Sequence, residues 1–242
     1  MKKPPIGQAP GKRDHVEAMF DEIAPRYDVL NRVLSFGTDV LWRKRAVALL
    51  EDGLADRPEF LLDVATGTAD LAIEALSLDP DQVVGVDISD GMLEGGRRKL
   101  RHRALDGRVA LVQADAAALP FEDGVFDGAF VSFGVRNFED LQAGLRGIRR
   151  VLRPRAPLVV LETSQPTAFP FKQGYRVYSR HVMPRLGKAI SGNAEAYEYL
   201  PESAREFPYG EAFLAELRAA GFAECVARPQ TFGVASLYRG LA

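Results

Sequence analysis

The sequence predicts a doubly wound α/β fold, with a seven-stranded, mainly parallel sheet, helices at the N-terminus and a helical lid inserted late in the chain. Three observations carry that prediction. Short apolar runs alternate with helical text at Phe60–Ala65, Val83–Val86, Val109–Gln113, Asp127–Phe133 and Leu158–Leu161, and strands alternating with helices imply parallel crossovers. Two further strand-like runs, Ala223–Arg228 and Gly233–Arg239, close the chain. Its 242 residues suffice for one large core and are marginal for two.

Taken in order, residues 1–12 read as a flexible tail, polar and containing Pro4, Pro5 and Pro10, and residues 13–242 as a single domain. Val16, Met19, Phe20 and Ile23 recur at helical spacing, so a helix opens the fold and Pro25 ends or bends it. A second helix is expected over Thr38–Leu50. A helix starts near Gly91, and Leu141, Leu145, Ile148 and Leu152 form one face of another. From about 165 to 208 the text is irregular, proline-containing and aromatic, too long for a plain connection. It is expected to cap the site together with residues 13–50. The last helix, Tyr209–Ala220, stops at Gly221, a good helix terminator,.

Composition narrows the function. A net charge of −2 gives no reason to expect nucleic acid as a partner. No apolar run approaches the ~20 residues needed to span a bilayer. One cysteine excludes an internal disulfide, and three scattered histidines show no ligand spacing, so no metal is expected. A cytoplasmic protein fits.

The chemistry concentrates at the strand ends. Leu61-Leu62-Asp63-Val64-Ala65-Thr66-Gly67-Thr68-Ala69-Asp70 is a strand-to-helix turn of the kind that binds ligands in open α/β sheets. Gly67 would let backbone approach a ligand closely. Only one of three dinucleotide-fingerprint glycines is present, and Asp63 and Asp70 would oppose a pyrophosphate. Negative charge suits a cationic ligand, and S-adenosylmethionine carries a sulfonium and an ammonium. Asp87 ends the second strand, where an acid can accept from ribose hydroxyls. Asp115 ends the third, where it could accept from an adenine amino group while the Ala116 N–H faces the ring. Asp63, Asp87 and Asp115 are therefore expected to form one electronegative slot. A nicotinamide-dependent oxidoreductase on a similar sheet and a noncatalytic binding protein stand as alternatives.

Several stretches resemble the quinone-biosynthesis C-methyltransferases: Tyr27-Asp28-Val29-Leu30-Asn31, Leu34-Ser35-Phe36-Gly37, Trp42-Arg43, Ser132-Phe133-Gly134-Val135-Arg136-Asn137, Arg150-Val151-Leu152-Arg153-Pro154, Leu161-Glu162-Thr163-Ser164 and Tyr178–Gly187. The likeness extends over roughly Val16–Arg239. It implies a class I S-adenosylmethionine-dependent methyltransferase acting on a ring carbon of demethylmenaquinol, with the benzoquinol step of ubiquinone synthesis close by. By the same resemblance Thr68, Asp87, Asp115, Ala116 and Ser132 are cofactor-contacting; Asp63, Gly67 and Asp70 join them on the strand-end argument. Small-molecule O-methylation is the enzymatic alternative. The family usually has His where Asp39 stands and Gly-Gly where Arg155-Ala156 stands.

Methyl transfer to carbon needs the neighbouring ring hydroxyl ionised, which at pH 7 costs about 4 kcal/mol for a group of pKa ~10. Arg136 is the leading candidate to stabilise the phenolate; otherwise it is a structural bridge to Glu162 or Asp140. Asn137 either orients the same hydroxyl or caps the next helix. His181 is either the proton acceptor or a packing residue. Tyr27, Asp28, Tyr178 and Tyr197 are second-rank candidates for holding the quinol. An isoprenoid tail requires an apolar groove, for which Met19, Phe20, Ile23, Phe36, Phe169, Phe171, Tyr175, Val182 and Met183 are available, and implies transient contact with the inner face of the membrane. The basic run Arg97–Arg103 reads either as a solvated helix face or as a contact for anionic lipid or nucleic acid,. A homodimer stays open.

Overall fold

A computed structural model describes residues 11–182, 185 and 203–242. The seven strands run β1 (Phe60–Val64), β2 (Gln82–Asp87), β3 (Val109–Gln113), β4 (Gly128–Ser132), β5 (Pro157–Thr163), β6 (Ala223–Gln230) and β7 (Ala235–Leu241), in the spatial order β3-β2-β1-β4-β5-β7-β6. The first five pair in parallel; β7 is antiparallel to both β5 and β6. The order reverses direction at β1, which lies between β2 and β4, the topological switch where such sheets open a ligand crevice.

Register levels the carboxyl ends at that crevice. Val64 pairs with both Val86 and Val131, and Asp87 pairs with Gln113. The residues that follow these strand ends therefore share one rim.

Near-continuous apolar strands bury both faces of the sheet, as parallel sheets require. On one face Leu62, Val64 and Val131 meet Leu145 and Ile148 of α6 (Leu141–Val151) and Phe213 and Leu217 of α8 (Glu211–Ala219). On the other, Leu61, Phe130 and Val159 meet Trp42, Ala46 and Leu50 of α3 (Thr38–Glu51), Leu71 of α4 (Asp70–Ala75) and Leu100 of α5 (Asp90–His102).

Two helices precede this sandwich: α1 (Lys12–Ile23) and α2 (Tyr27–Leu34). The sequence periodicity does not separate α2 from the Pro25 break; the chain turns through 24–26 and resumes a helix with a strongly one-sided apolar face. Met19, Ile23, Leu30 and Met92 form a small core of their own, so Met19 and Ile23 are packing residues and do not line an open groove. Asp21 of α1 anchors this layer at the start of α5: it accepts from Ser89 Oγ at 2.6 Å and Gly91 N at 3.0 Å, an acid at a helix N-terminus. α3 is packed on the sheet, so of the stretch 13–50 only α1 and α2 stand off it. The late insertion contributes α7 (Phe171–Val177) and the wider turn Tyr178–Val182. Tyr197 and Met183 lie outside the described residues, as does the His181 side chain. No helix among the described residues is long and apolar enough to cross a membrane.

Candidate active site

Two cavities meet above the carboxyl ends of β1, β2 and β4. The smaller, about 70 Å³, is lined by Gly67, Asp87, Asp115, Ala116 and Ser132 from the strand-end turns, with Asn137 and Phe138 beyond β4 and Val16 and Phe20 of α1 as its roof. The larger, about 380 Å³, lies between α2, α3, α7 and the β4–β5 side of the rim; Asp39, Trp42, Arg136, Thr163 and Tyr175 are in its wall. Tyr27 and Phe133 belong to both. They are the partition.

Backbone geometry builds the smaller cavity. The β1 turn runs through left-handed conformations at Ala65, Gly67 and Ala69, and at Gly67 a side chain would add strain. Gly134 is required for a different reason: a Cβ there would stand 2.3 Å from Ala65 Cβ, so the β1 and β4 turns could not close on each other. Asp87 organises the rim, accepting from Gly67 N at 2.8 Å and Ser89 N at 3.0 Å. Burial pushes its carboxyl above the ordinary range, while those N–H groups pull it back,. Asp115 accepts from Ala117 N at 2.9 Å.

The slot holds two of the three expected acids. Asp63 points away from it: buried inside β1, it accepts from Thr66 Oγ1 at 2.6 Å, and loss of solvent raises its pKa to about 7. It braces the turn from behind. Thr68 and Asp70 also face elsewhere. Thr68 Oγ1 donates to Asp28 at 2.5 Å, and Asp70 sits beside Lys99 Nζ at 2.5 Å and Arg43 at 3.3 Å. Burial would raise the Asp70 carboxyl, but the Lys99 and Arg43 charges outweigh it and hold the pKa below the usual carboxylate value. Lys99 also contacts Asp28 at 2.8 Å. Within the basic run, then, Lys99 is turned inward, 16% exposed, and ties α2 to the β1 turn; Arg97 and Arg101 do lie on the solvated face.

In the larger cavity Arg136 is held by Glu162 at 2.6 Å and donates to the Phe133 carbonyl at 2.7 Å. Arg136 is 7% and Glu162 0% exposed at the side chain. The bridge to Glu162 therefore exists, and it fixes a guanidinium in the cavity wall. Asn137 does not cap the next helix: Asp140 does, accepting from Ala143 N at 2.9 Å. Asp39 is buried in the wall against Arg43 at 2.9 Å, Arg32 at 3.4 Å and Ser35 Oγ at 2.8 Å. Burial raises the pKa of both Tyr27 and Tyr175, so each is a hydroxyl donor at neutral pH and a poor base. Tyr178 donates to the Leu34 carbonyl at 2.8 Å, joining the α7 segment to α2. Trp42 and Phe133 fall in stretches that carry the family resemblance, and Tyr175 is among the apolar residues expected at the tail groove, but no spacing signal marks any of the three as lining this cavity.

The reversed strand order and a carboxylate-lined rim define a class I, S-adenosylmethionine-dependent methyltransferase. A solved structure of that class from Thermotoga maritima, described as a possible histamine N-methyltransferase, shares the fold with a TM-score of 0.65 at 20% identity, covering 94% of this chain and 99% of that one. The model of the ubiE/COQ5 methyltransferase family matches residues 9–242, and the chain belongs to that family. Curated relatives named demethylmenaquinone methyltransferase include one from Thermus thermophilus, 49% identical over 92% of this chain and 99% of its own, and one from Bacteroides fragilis, 44% identical over 94% and 92%. A Geobacter sulfurreducens relative, 43% identical over 95% of this chain and 89% of its own, is named ubiquinone/menaquinone biosynthesis C-methyltransferase UbiE.

Proposed function

We propose that this protein methylates a ring carbon of demethylmenaquinol, using S-adenosylmethionine, to give menaquinol. The family membership and the relatives' names support the reaction. The observation that carries it to this chain is the pair of adjoining cavities sharing Tyr27 and Phe133, one with Asp87 and Asp115, the other with Arg136.

The residues present fit the cofactor. Each oxygen of Asp87 accepts one backbone N–H and retains capacity for a ribose hydroxyl. Asp115 and Ala116 would hold the adenine, with Gly67 and Ser132 alongside; Asp63, Thr68 and Asp70 support that wall from behind. When bound, S-adenosylmethionine supplies an electrophilic methyl group. The chain's own task is to present the quinol ring and favour its phenolate. Arg136, kept rigid by Glu162, stabilises the developing negative charge, a preorganised cation in a site screened from water. Asn137, beside the partition, orients the hydroxyl, and Tyr175 donates a hydrogen bond to the ring. His181 takes the proton. α1, α2 and the described start of the insertion, residues 165–182, form the lid of one domain, the isoprenoid tail leaves through the larger cavity, and the protein works in the cytoplasm at the inner membrane face.

The test incubates the protein with labelled S-adenosylmethionine and short-tailed demethylmenaquinol or the corresponding benzoquinol. Label on a ring carbon of the naphthoquinol is expected. Label on oxygen, or none on either ring, would overturn the proposal. The Geobacter relative's name motivates the benzoquinol arm.

A further inference from the structure

Between Glu162 and Glu195 the chain has no acidic residue, yet it carries Lys172, Arg176, Arg180, Arg185 and Lys188, while the rest of the sequence is net acidic. Three of these cations, Lys172, Arg176 and Arg180, are exposed and stand at the larger cavity. None forms an ion pair with the described residues, unlike Arg97, Arg101 and Arg153, which are exposed or partly so and do. Apolar side chains stand out on the same segment and on the turn it rests against: Phe169 is 80% exposed, Phe36 75% and Val177 58%. Phe36 packs on Tyr178 with ring centroids 5.5 Å apart, and the Tyr178 hydroxyl binds the Leu34 carbonyl, so both elements form one rim.

Cations without an ion pair among the described residues, interleaved with protruding apolar groups, match an anionic lipid surface. The cations meet headgroups within a Debye length, and the apolar groups enter the interfacial layer as they do on amphipathic interfacial helices. We propose that this rim docks on a bilayer bearing anionic headgroups, with the mouth of the larger cavity facing the membrane. The proposal rests on the quinol reading: a substrate anchored in the bilayer by its tail would enter without crossing water.

The full-length protein is mixed with phosphatidylcholine vesicles, with and without about one third phosphatidylglycerol, and pelleted. Binding to the anionic vesicles alone, weakened by salt, is expected. Lys172→Glu/Arg176→Glu should lower it at least about tenfold, given the strength of single cation–headgroup attractions. Val177→Ser, at a side chain that lines neither cavity, should also lower it while leaving turnover of a soluble short-tailed quinol unchanged. Equal binding to neutral vesicles, no binding at all, or full binding by both variants would overturn the docking face. A dimer that the same substitutions dissociate, with no vesicle binding, would assign the face to a second copy and overturn it too. Vesicle binding without methylation of the short-tailed quinol would sink the quinol reading alone; methylation without vesicle binding would sink the docking face alone.

Discussion

The two cavities are built by different means. The smaller is a product of the sheet: its walls are turns between strands and helices, its polar groups are backbone N–H groups and the carboxylates they hold, and its residues follow consecutive strand ends. The larger is a product of packing: Asp39, Arg136 and Tyr175 come from three elements far apart in the chain and meet only because α2 and α7 fold over the rim. A fold that must keep its strands in register preserves the first almost automatically. The second depends on individual side chains.

Substitutions should separate the two. The largest effect is expected from Asp87→Ala: losing charged hydrogen bonds, each worth about 1.5–3 kcal/mol, should weaken S-adenosylmethionine binding by about 100-fold or more in calorimetry. Unaltered affinity would dissolve the distinction. Arg136 should act in the opposite sense, sparing cofactor affinity and slowing turnover about 100-fold, the scale of a lost charge-stabilising donor. Arg136→Ala alone strands buried Glu162, at a cost of about 3–5 kcal/mol, so Arg136→Met/Glu162→Gln is the cleaner variant; wild-type turnover from it would remove Arg136 from the chemistry. Lys99→Met should do a little of both: with Asp28 and Asp70 left facing each other, the melting temperature should fall by several degrees, about 2–4 °C per kcal/mol in a chain of this size, and cofactor affinity a few-fold. An unchanged melting curve would make Lys99 a surface residue after all.

A further effect depends on pH. Asp63 has its pKa raised from 3.8 to about 7 in the folded chain, so the native state holds a proton that the unfolded chain has released. Its contribution to stability is fully present below about pH 4 and is lost as pH rises to about 7. Asp63→Asn keeps an uncharged acceptor for Thr66, so its advantage in thermal unfolding should grow across that interval and then level off. A constant difference between pH 4 and 8 would show that Asp63 stays ionised.

The difference between the cavities also explains what the sequence could reveal. The sheet was legible because period and punctuation are local: Val109–Gln113 is a strand in the sequence and in the structure alike. Asp87 and Asp115 were legible for the same reason, each ending a recognisable strand. Asp63 misled because a carboxylate near a strand end can point to either face, and one residue of register decides which. Lys99 misled because nothing within a run of seven basic-rich residues marks the one whose stem turns inward. Trp42 and Tyr175 were named, one within the family resemblance and one for the tail groove, but their place in the cavity wall is set by tertiary packing, which no local pattern records. The family likeness reached Arg136, but not its buried partner's effect of fixing its position.

Phe133 follows the last residue of β4 in a left-handed conformation, φ 54°, with its N–H held by the Leu161 carbonyl. Glycine would adopt that backbone without steric penalty, whereas a side chain there costs on the order of 1–2 kcal/mol. Selection for thermal resilience alone would favour glycine at 133. The benzyl group that stands there instead lines both cavities where they meet, so the molecule gives up some durability for a side chain that shapes the opening between them.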